Sequence, residues 1–339
     1  MDANPPFFSI IIPTYNAQDY FIRCIESCIN QTFRDIEVLI IDDCGIDYSI
    51  PTIQCYARID KRIKIIRNFY NLGLFHTRLQ GFRLAKGKFC LSVDADDFLD
   101  LQICEKLAKI LQEDTDIDML HFAFRKTPSC FYDLHSLHAP SLGYLYQKDI
   151  KNFLNLSNTF QSIWGKAIKT HILKSIAQET SFITPPLNSL EDGVFNLLLS
   201  LKIKTYYGLN DVGYFYQRNP SSITNSISHS NFRKKCNDFE KVSNALDVLE
   251  GQYKDDRQLI AKYRQKVLSA FLLEARFFGY FNLVRVMKIA KIKQAYPKYI
   301  LQALPTFWTS CIISMRLFFR WQTLARLLIN IFTFGKVKL

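Results

Sequence analysis

Apolar residues in the first third of this chain come in short uninterrupted runs. Phe7–Pro13 (FFSIIIP), Ile36–Asp42 (IEVLIID) and Arg62–Ile66 (RIKII) each have the length and composition of a buried strand, and Pro13 stops the first. Lys88–Asp97 (KFCLSVDADD) and Asp118–Phe124 (DMLHFAF) read the same way. Between them the period changes. Tyr20, Phe21, Cys24, Ile25, Cys28 and Ile29 recur at helical spacing, and weaker helical patterns cover Ser49–Arg58, Leu74–Ala85 and Leu101–Leu111. Strands alternating with helices predict an α/β domain with a largely parallel sheet covered on both faces.

Chemistry in such sheets gathers beyond the carboxyl ends of the strands. Three strand ends carry polar clusters: Pro13-Thr14-Tyr15-Asn16, Asp42-Asp43-Cys44-Gly45 and Asp94-Ala95-Asp96-Asp97. Helix N-capping would account for Asn16 or Asp97 taken alone. It does not account for three acids within four residues, which repel unless a cation sits among them. Hard oxygen donors of this kind suit Mg²⁺ or Mn²⁺, bound through one or two carboxylates together with substrate phosphates. The six histidines show no ligand spacing; His135-x-x-His138 comes nearest.

Composition adds length and charge. The 339 residues include 43 Lys+Arg and 31 Asp+Glu, a net charge of +12, with 48% hydrophobic residues and only 12 Gly and 11 Pro, which excludes a low-complexity chain. The N-terminus shows no basic region or small-residue cleavage pattern, and no apolar run reaches 18 residues, so neither a secretory signal nor a spanning helix is expected. Nine cysteines without a Cys-x-x-Cys pair read as reduced, mostly buried thiols of a cytosolic protein. The charge is uneven: residues 1–225 balance to −1, and residues 226–339 carry +13. This shift predicts a catalytic domain over 1–225 and a helical, basic region over 226–339.

In the last 65 residues there are 11 Lys or Arg and no acid. Arg316, Arg320, Thr323, Arg326 and Asn330 fall on one polar stripe of a helix otherwise made of Leu, Ile, Phe and Trp321. That pattern suits a helix lying in an anionic membrane interface. A helix packed on the catalytic domain with its arginines in water is the alternative. Nucleic acid is not expected as a partner, because no binding motif accompanies the charge.

The blocks SIIIPTYN, QTFRDIEVLIIDDCGID, NLGLFHTRLQGFRLAKGKFCLSVDADDFLD, IWGKAI, LEDGVFN and GYFYQRNPSSIT stand in the order in which family 2 glycosyltransferases of the GT-A fold carry them. Residues 7–225 resemble that family, and CIESCINQTF…DDCG is similar to bacterial lipooligosaccharide β-1,3-galactosyltransferases of the Campylobacter and Helicobacter type. The resemblance implies a GT-A, Rossmann-like catalytic domain with a nucleotide-sugar donor, a UDP-sugar first among them, and a glycan or glycolipid acceptor. Together with the basic tail and the reduced thiols, this leads to the expectation of a cytoplasmic protein, peripheral on the inner face of the bacterial inner membrane. The resemblance also implies roles. Pro13, Thr14 and Tyr15 would border the nucleotide, Asp42 would hold the uracil or ribose edge, and Asp43 would support that pocket. Arg78 would approach the nucleotide-sugar and Asp94 the ribose or donor sugar, while Asp96 would bind the Mn²⁺ or Mg²⁺ on the diphosphate. Trp164 and Lys166 would line the acceptor or diphosphate side, Asp192 of Glu191-Asp192 would be the general base, and Arg218 and Ser222 would close over the phosphates.

Plainer readings exist for several of these residues. Asp192 opens an apolar helical run and could serve only the helix dipole. Trp164 could be core, and Arg218 an exposed loop residue. One departure from the family pattern is Cys44, where Asp-Asp-Gly-Ser would have glycine; cysteine adopts a positive φ poorly, so a turn shifted by one residue is expected. A noncatalytic binding module of the same fold remains an alternative, which intact Asp94, Asp96 and Asp192 oppose. A sugar nucleotidyltransferase is another, opposed by the absence of a Gly-rich basic loop in Pro13–Gln18.

Overall fold

The computed structural model describes residues 4–128, 137–138, 140, 142–147, 149–151, 162–219 and 229–275. Ser222 and the stripe from Arg316 to Asn330 lie outside the described residues, as does His135. The chain divides into two compact units, one of residues 1–126 and 137–267, the other of residues 127–136 and 268–339. All that follows concerns the first. It continues well past the compositional boundary near residue 225, because the two helices that come next are tied into it. Lys151 Nζ meets Asp256 at 2.6 Å, the Tyr253 hydroxyl donates to Glu179 at 3.0 Å, and Lys241 Nζ donates to the Pro186 carbonyl at 2.6 Å.

Four parallel strands form one half of the sheet: β1 (Phe8–Thr14), β2 (Ile36–Asp42), β3 (Ile63–Arg67) and β4 (Phe89–Ser92), in the order β3-β2-β1-β4. Register aligns their carboxyl ends, with Thr14 opposite Asp42 and Asp42 opposite Arg67. β1, β2 and β4 are buried at every position, which is why they read as continuous apolar runs. On one face lie α1 (Gln18–Ile29) and, after the two-residue β5 (Phe98–Leu99), α4 (Ile103–Glu113). Their residues Phe21, Cys24, Ile25, Cys28, Leu107 and Leu111 join the core cluster. α2 (Ser49–Ile59) connects β2 to β3, and α3 (Gly73–Leu84) packs on the other side, with Gly81 directly over Ile11 of β1.

Beyond β4 the direction changes. β6 (Met119–Thr127), β7 (Leu137–His138), β8 (Gly143–Tyr146), β9 (Lys166–Lys169) and β10 (Thr205–Gln217) extend the order as β4-β9-β6-β10-β5. β9 is antiparallel to β4 and to β6, and β10 to β5 and β8. The sheet is therefore mixed, where strand–helix alternation led to the expectation of a largely parallel one. β9 enters beside the carboxyl end of β4 and leaves at its amino end, with Ala167 opposite Leu91 and Lys169 opposite Phe89, so Trp164 and Lys166 stand on the side of the strand ends. α5 (Thr170–Glu179) and α6 (Glu191–Lys202) follow, then α7 (His229–Gln252) and α8 (Arg257–Ala275). No helix among the described residues is long and apolar enough to cross a membrane. Seven of the cysteines are described and all are free thiols, five of them buried.

Candidate active site

At the first two strand ends, Pro13 and Thr14 are buried and Tyr15 is half in solvent, at 54% exposure. Asp42 is fully buried. Its Oδ1 accepts the Gly45 N–H at 2.9 Å, and its Oδ2, which faces Arg67 Nε at 3.4 Å, accepts no hydrogen bond among the described residues. The turn between them corrects one expectation. Cys44 itself takes the left-handed conformation, φ 63°, so the turn is not shifted. That conformation costs a non-glycine residue about 1–2 kcal/mol, offset by the Asp43 N–H on the Thr14 carbonyl (2.9 Å) and the Cys44 thiol on the Asn68 carbonyl (3.1 Å). Asn16 also has positive φ, and its Oδ1 accepts from the Ile46 N–H at 2.9 Å rather than capping α1.

Asp43 is committed to the scaffold. Its carboxylate accepts from the Leu72 N–H (2.7 Å), the Gly73 N–H (2.9 Å) and Asn68 Nδ2 (2.8 Å). These bonds hold the first turn of α3, where Gly73 sits at φ 78°. From there α3 delivers Arg78 into the interior, 1% exposed.

Arg78 joins two acids that are far apart in the chain. Its Nη2 donates to Asp94 Oδ1 at 2.5 Å and its Nη1 to Asp192 Oδ1 at 3.1 Å. Asp94 follows β4, and Asp192 lies in the first turn of α6, so one guanidinium clamps the third strand end to the Glu191-Asp192 pair. The helix-dipole reading of Asp192 is compatible with this, since Glu191 and Asp192 both occupy that first turn. Burial raises Asp192 to about 6, against the pull of Arg78. Glu191, more deeply buried and next to Asp192, is pushed up to about 8. Just before them Leu190 is held at φ 66°, a strained conformation for a non-glycine residue at the start of α6.

Lys166 on β9 is buried and donates through Nζ to the Ser162 carbonyl. Burial lowers it to about 7, with the Asp192 charge opposing. Trp164, two residues earlier, is partly buried and stacks on Tyr214 of β10 (ring centroids 4.4 Å apart, planes at 8°). It thus packs against the ring whose hydroxyl receives the Asp94 N–H.

The remaining acids organise the end of β10. Asp97 is 1% exposed. Its Oδ2 accepts from the Tyr214 hydroxyl at 2.5 Å and its Oδ1 from the Gln217 N–H at 2.7 Å. The same hydroxyl accepts the Asp94 N–H at 3.2 Å. Burial, then the Asp94 and Asp96 charges, raise Asp97 to about 9. Asp97 caps no helix; α4 begins at Ile103, and Asp97 instead fixes the segment that carries Arg218. Asp96 is half-buried, raised by burial and by Asp94, and Asn219 Nδ2 donates to its Oδ2 at 3.2 Å. Among the described residues no group of three or more His, Cys, Asp or Glu could hold a metal ion.

Several participants escaped the motif reading. Asp97 reads in the sequence as one of three clustered acids or as a cap, Leu190 and Asn219 stand inside the quoted blocks without an assigned role, and Asn68 and Tyr263 give no periodic or motif signal. Tyr263 of α8 packs against Gly193, where an added Cβ would lie 2.1 Å from its hydroxyl. A residue beyond 225 thereby touches the residue next to Asp192.

The Glycosyl transferase family 2 model matches residues 9–177. Among curated relatives, YibD of Escherichia coli, an uncharacterised glycosyltransferase, is 25% identical over 270 residues, covering 76% of this chain and 75% of its own. EpsJ of Bacillus subtilis, also an uncharacterised glycosyltransferase, is 27% identical over 222 residues, covering 65% and 63%. An uncharacterised Haemophilus influenzae glycosyltransferase reaches 36% identity over 114 residues, 34% of this chain. The chain covers only about a third of the length of that protein (35%) and of B. subtilis EpsH (34%). Two solved structures share the fold. TarS 1–349 of S. aureus, in complex with UDP-GlcNAc, gives a TM-score of 0.54 at 17% identity, covering 86% of this chain and 91% of its own. The mannosyltransferase PcManGT of Pyrobaculum calidifontis, in complex with GDP-Man and Mn²⁺, gives 0.52 at 12% identity, covering 93% and 82%. Residues 9–177 thus match the Glycosyl transferase family 2 model, and the mixed sheet with acids gathered at its strand ends shares the GT-A fold of those two solved structures.

Proposed function

We propose that the protein is an inverting glycosyltransferase that moves a sugar from a nucleoside diphosphate sugar to an acceptor hydroxyl. The observation that carries this reading is the Asp94–Arg78–Asp192 bridge, which sets a donor-side acid and a candidate base in one site. Asp192 has the properties a base needs here: a carboxylate raised toward neutral pH, one-third exposed, and held by a cation beneath it. It would take the acceptor hydroxyl's proton while the hydroxyl attacks the anomeric carbon opposite the leaving diphosphate. One base and no covalent intermediate suffice, and the anomeric centre inverts.

Asp42 Oδ2 supports a nucleotide site beside β1 and β2, because a base N–H would satisfy a buried oxygen that otherwise lacks a hydrogen bond. Asp94 would face the ribose or donor sugar, with Pro13, Thr14 and Tyr15 along the nucleotide and Trp164, Lys166 and Glu191 on the acceptor side. Arg218, and Ser222 beyond the described residues, would meet the phosphates. The acids fit a divalent cation. Asp96 offers a half-buried hard oxygen whose repulsion from Asp94 a dication would relieve, and a sparse protein ligand set leaves room for phosphate oxygens. Bound there, Mn²⁺ or Mg²⁺ would neutralise the departing diphosphate.

Finer points belong to the same proposal. A UDP-sugar is the first donor to try, in keeping with the UDP-GlcNAc bound by TarS. Galactose, a β-1,3 linkage and a lipid-linked glycan such as lipooligosaccharide follow from the wording of the second block. The 11 cations after Glu274 support a peripheral position on an anionic cytoplasmic membrane face. Incubation with a panel of UDP-sugars, with and without candidate acceptors, tests the reading through UDP release. A noncatalytic module would bind donor and release nothing, and a nucleotidyltransferase would form pyrophosphate. Asp192→Asn is expected to lower transfer by about 10²–10⁴-fold while still binding donor; near-normal turnover would remove Asp192 as the base.

A further inference from the structure

The contact between Asn219 and Asp96 has no place in the scheme above. Asn219 is the second residue past β10, half-buried, with its carboxamide nitrogen 3.2 Å from Asp96 Oδ2. Its position is set from behind: the Gln217 N–H is fixed on Asp97 Oδ1 at 2.7 Å, and Tyr214, which donates to the other Asp97 oxygen, also receives the Asp94 N–H. The strand end that presents Asn219 is therefore tied to the acids on either side of Asp96.

We propose that Asn219 is a ligand of the divalent cation that Asp96 binds, its carboxamide oxygen replacing the nitrogen at the position now facing Asp96. A carboxamide has the same shape at both ends, one a donor and the other an acceptor, so a half-turn of its terminal group exchanges them without moving the backbone. Spacing favours this. Two oxygens in adjacent positions of an octahedral Mg²⁺ or Mn²⁺ shell, each about 2.1 Å from the metal, lie about 3 Å apart, close to the separation already present. A neutral oxygen also suits a site where Asp94 and Asp96 already repel each other and a further carboxylate would add repulsion before the cation arrives.

The proposal rests on Asp96 as the metal residue, and the experiment separates the two. Mn²⁺ binding to the full chain is titrated by electron paramagnetic resonance, with Mn²⁺ alone and then with UDP, for the native protein, Asp96→Asn, Asn219→Ala and Asn219→Asp. Circular dichroism confirms that each variant is folded. Loss of a ligand in Asn219→Ala should weaken Mn²⁺ binding about tenfold, while Asn219→Asp, which can ligate but not donate, should bind at least as tightly as the native protein. If Asn219 acts only as a hydrogen-bond donor to Asp96, removing it frees an oxygen, and Asn219→Ala would bind Mn²⁺ equally or more tightly; that result overturns the proposal. Unchanged binding in Asp96→Asn would instead overturn the metal reading of Asp96 itself.

Discussion

Arg78→Met tests the electrostatic design of the site most directly. The guanidinium lies 3.1 Å from Asp192 Oδ1, and a unit charge pair at that distance interacts by about 5 kcal/mol at an effective dielectric of 20. Asp192 is one-third exposed, so solvent screens much of this. If only about a quarter survives, its removal is worth about 1.4 kcal/mol, one pKa unit. Arg78 favours the ionised carboxylate, so without it Asp192 titrates higher, moving from about 6 toward about 7. A general base works when deprotonated, and kcat/KM therefore falls as pH drops through that value. At pH 6 the native base is about half ionised and the variant base about one-tenth, whereas both are nearly fully ionised at pH 8.5. The variant's kcat/KM, measured from pH 5 to 9 by UDP release, should show an acid limb displaced upward by about one unit. Arg78→Lys, which keeps the charge but not the two-pronged geometry, should lie between. An acid limb that stays in place or moves lower would refute the argument. Losing one member of a buried ion network also costs about 3–5 kcal/mol, so thermal unfolding is to be recorded beside the rates.

Other predictions follow from the same network. Asp97 is raised to about 9, so in metal-free buffer its contribution to stability is fully present below pH 4 and lost as pH rises through 9. Asp97→Asn should accordingly flatten the fall in Tm between pH 5 and 9, by at least about 2 °C; an unchanged slope would show that Asp97 is not protonated in the fold. Gly193→Ala places a Cβ 2.1 Å from the Tyr263 hydroxyl and should destabilise by about 1–3 kcal/mol in urea unfolding, with partial recovery in Gly193→Ala/Tyr263→Phe. Without that recovery, the clash would not be with the hydroxyl. Truncation after residue 275 should release the protein from anionic liposomes in a sedimentation assay, and persistent binding would contradict the membrane role proposed for the basic tail.

Much of the catalytic unit is legible without coordinates because its signals are local. A strand buried on both faces must be apolar throughout, and β1, β2 and β4 are. A helix on a sheet must repeat its apolar residues near every third or fourth position, as α1 does with Phe21, Cys24, Ile25 and Cys28. Polar residues that interrupt those runs fall at strand ends, which locates Thr14, Asp42 and Asp94. The boundary of the unit was less legible, since charge composition changes near 225 while packing continues to 267. Composition reports what solvent sees, and α7 and α8 are held through a minority of their residues.

Pairing is another matter. Arg78 and Asp192 are 114 positions apart, and Asn219 and Asp96 are separated by 123. No periodicity relates such residues; they meet because β10 ends beside Asp94 and Asp97, through Tyr214 and Gln217, and because α6 begins against Arg78. The left-handed Cys44 shows the same limit on a small scale, because three hydrogen-bonded strands around the turn outweigh a local preference of about 1 kcal/mol. From its sequence alone this protein had its four parallel strands and β6, the helices between them, and the residue types at those strand ends; β8, β9 and β10 were not legible there. Tertiary structure decided which acids lie against one arginine, which carboxylate is raised toward neutrality and which is spent on the scaffold, because burial and charge proximity are set by neighbours distant in the chain.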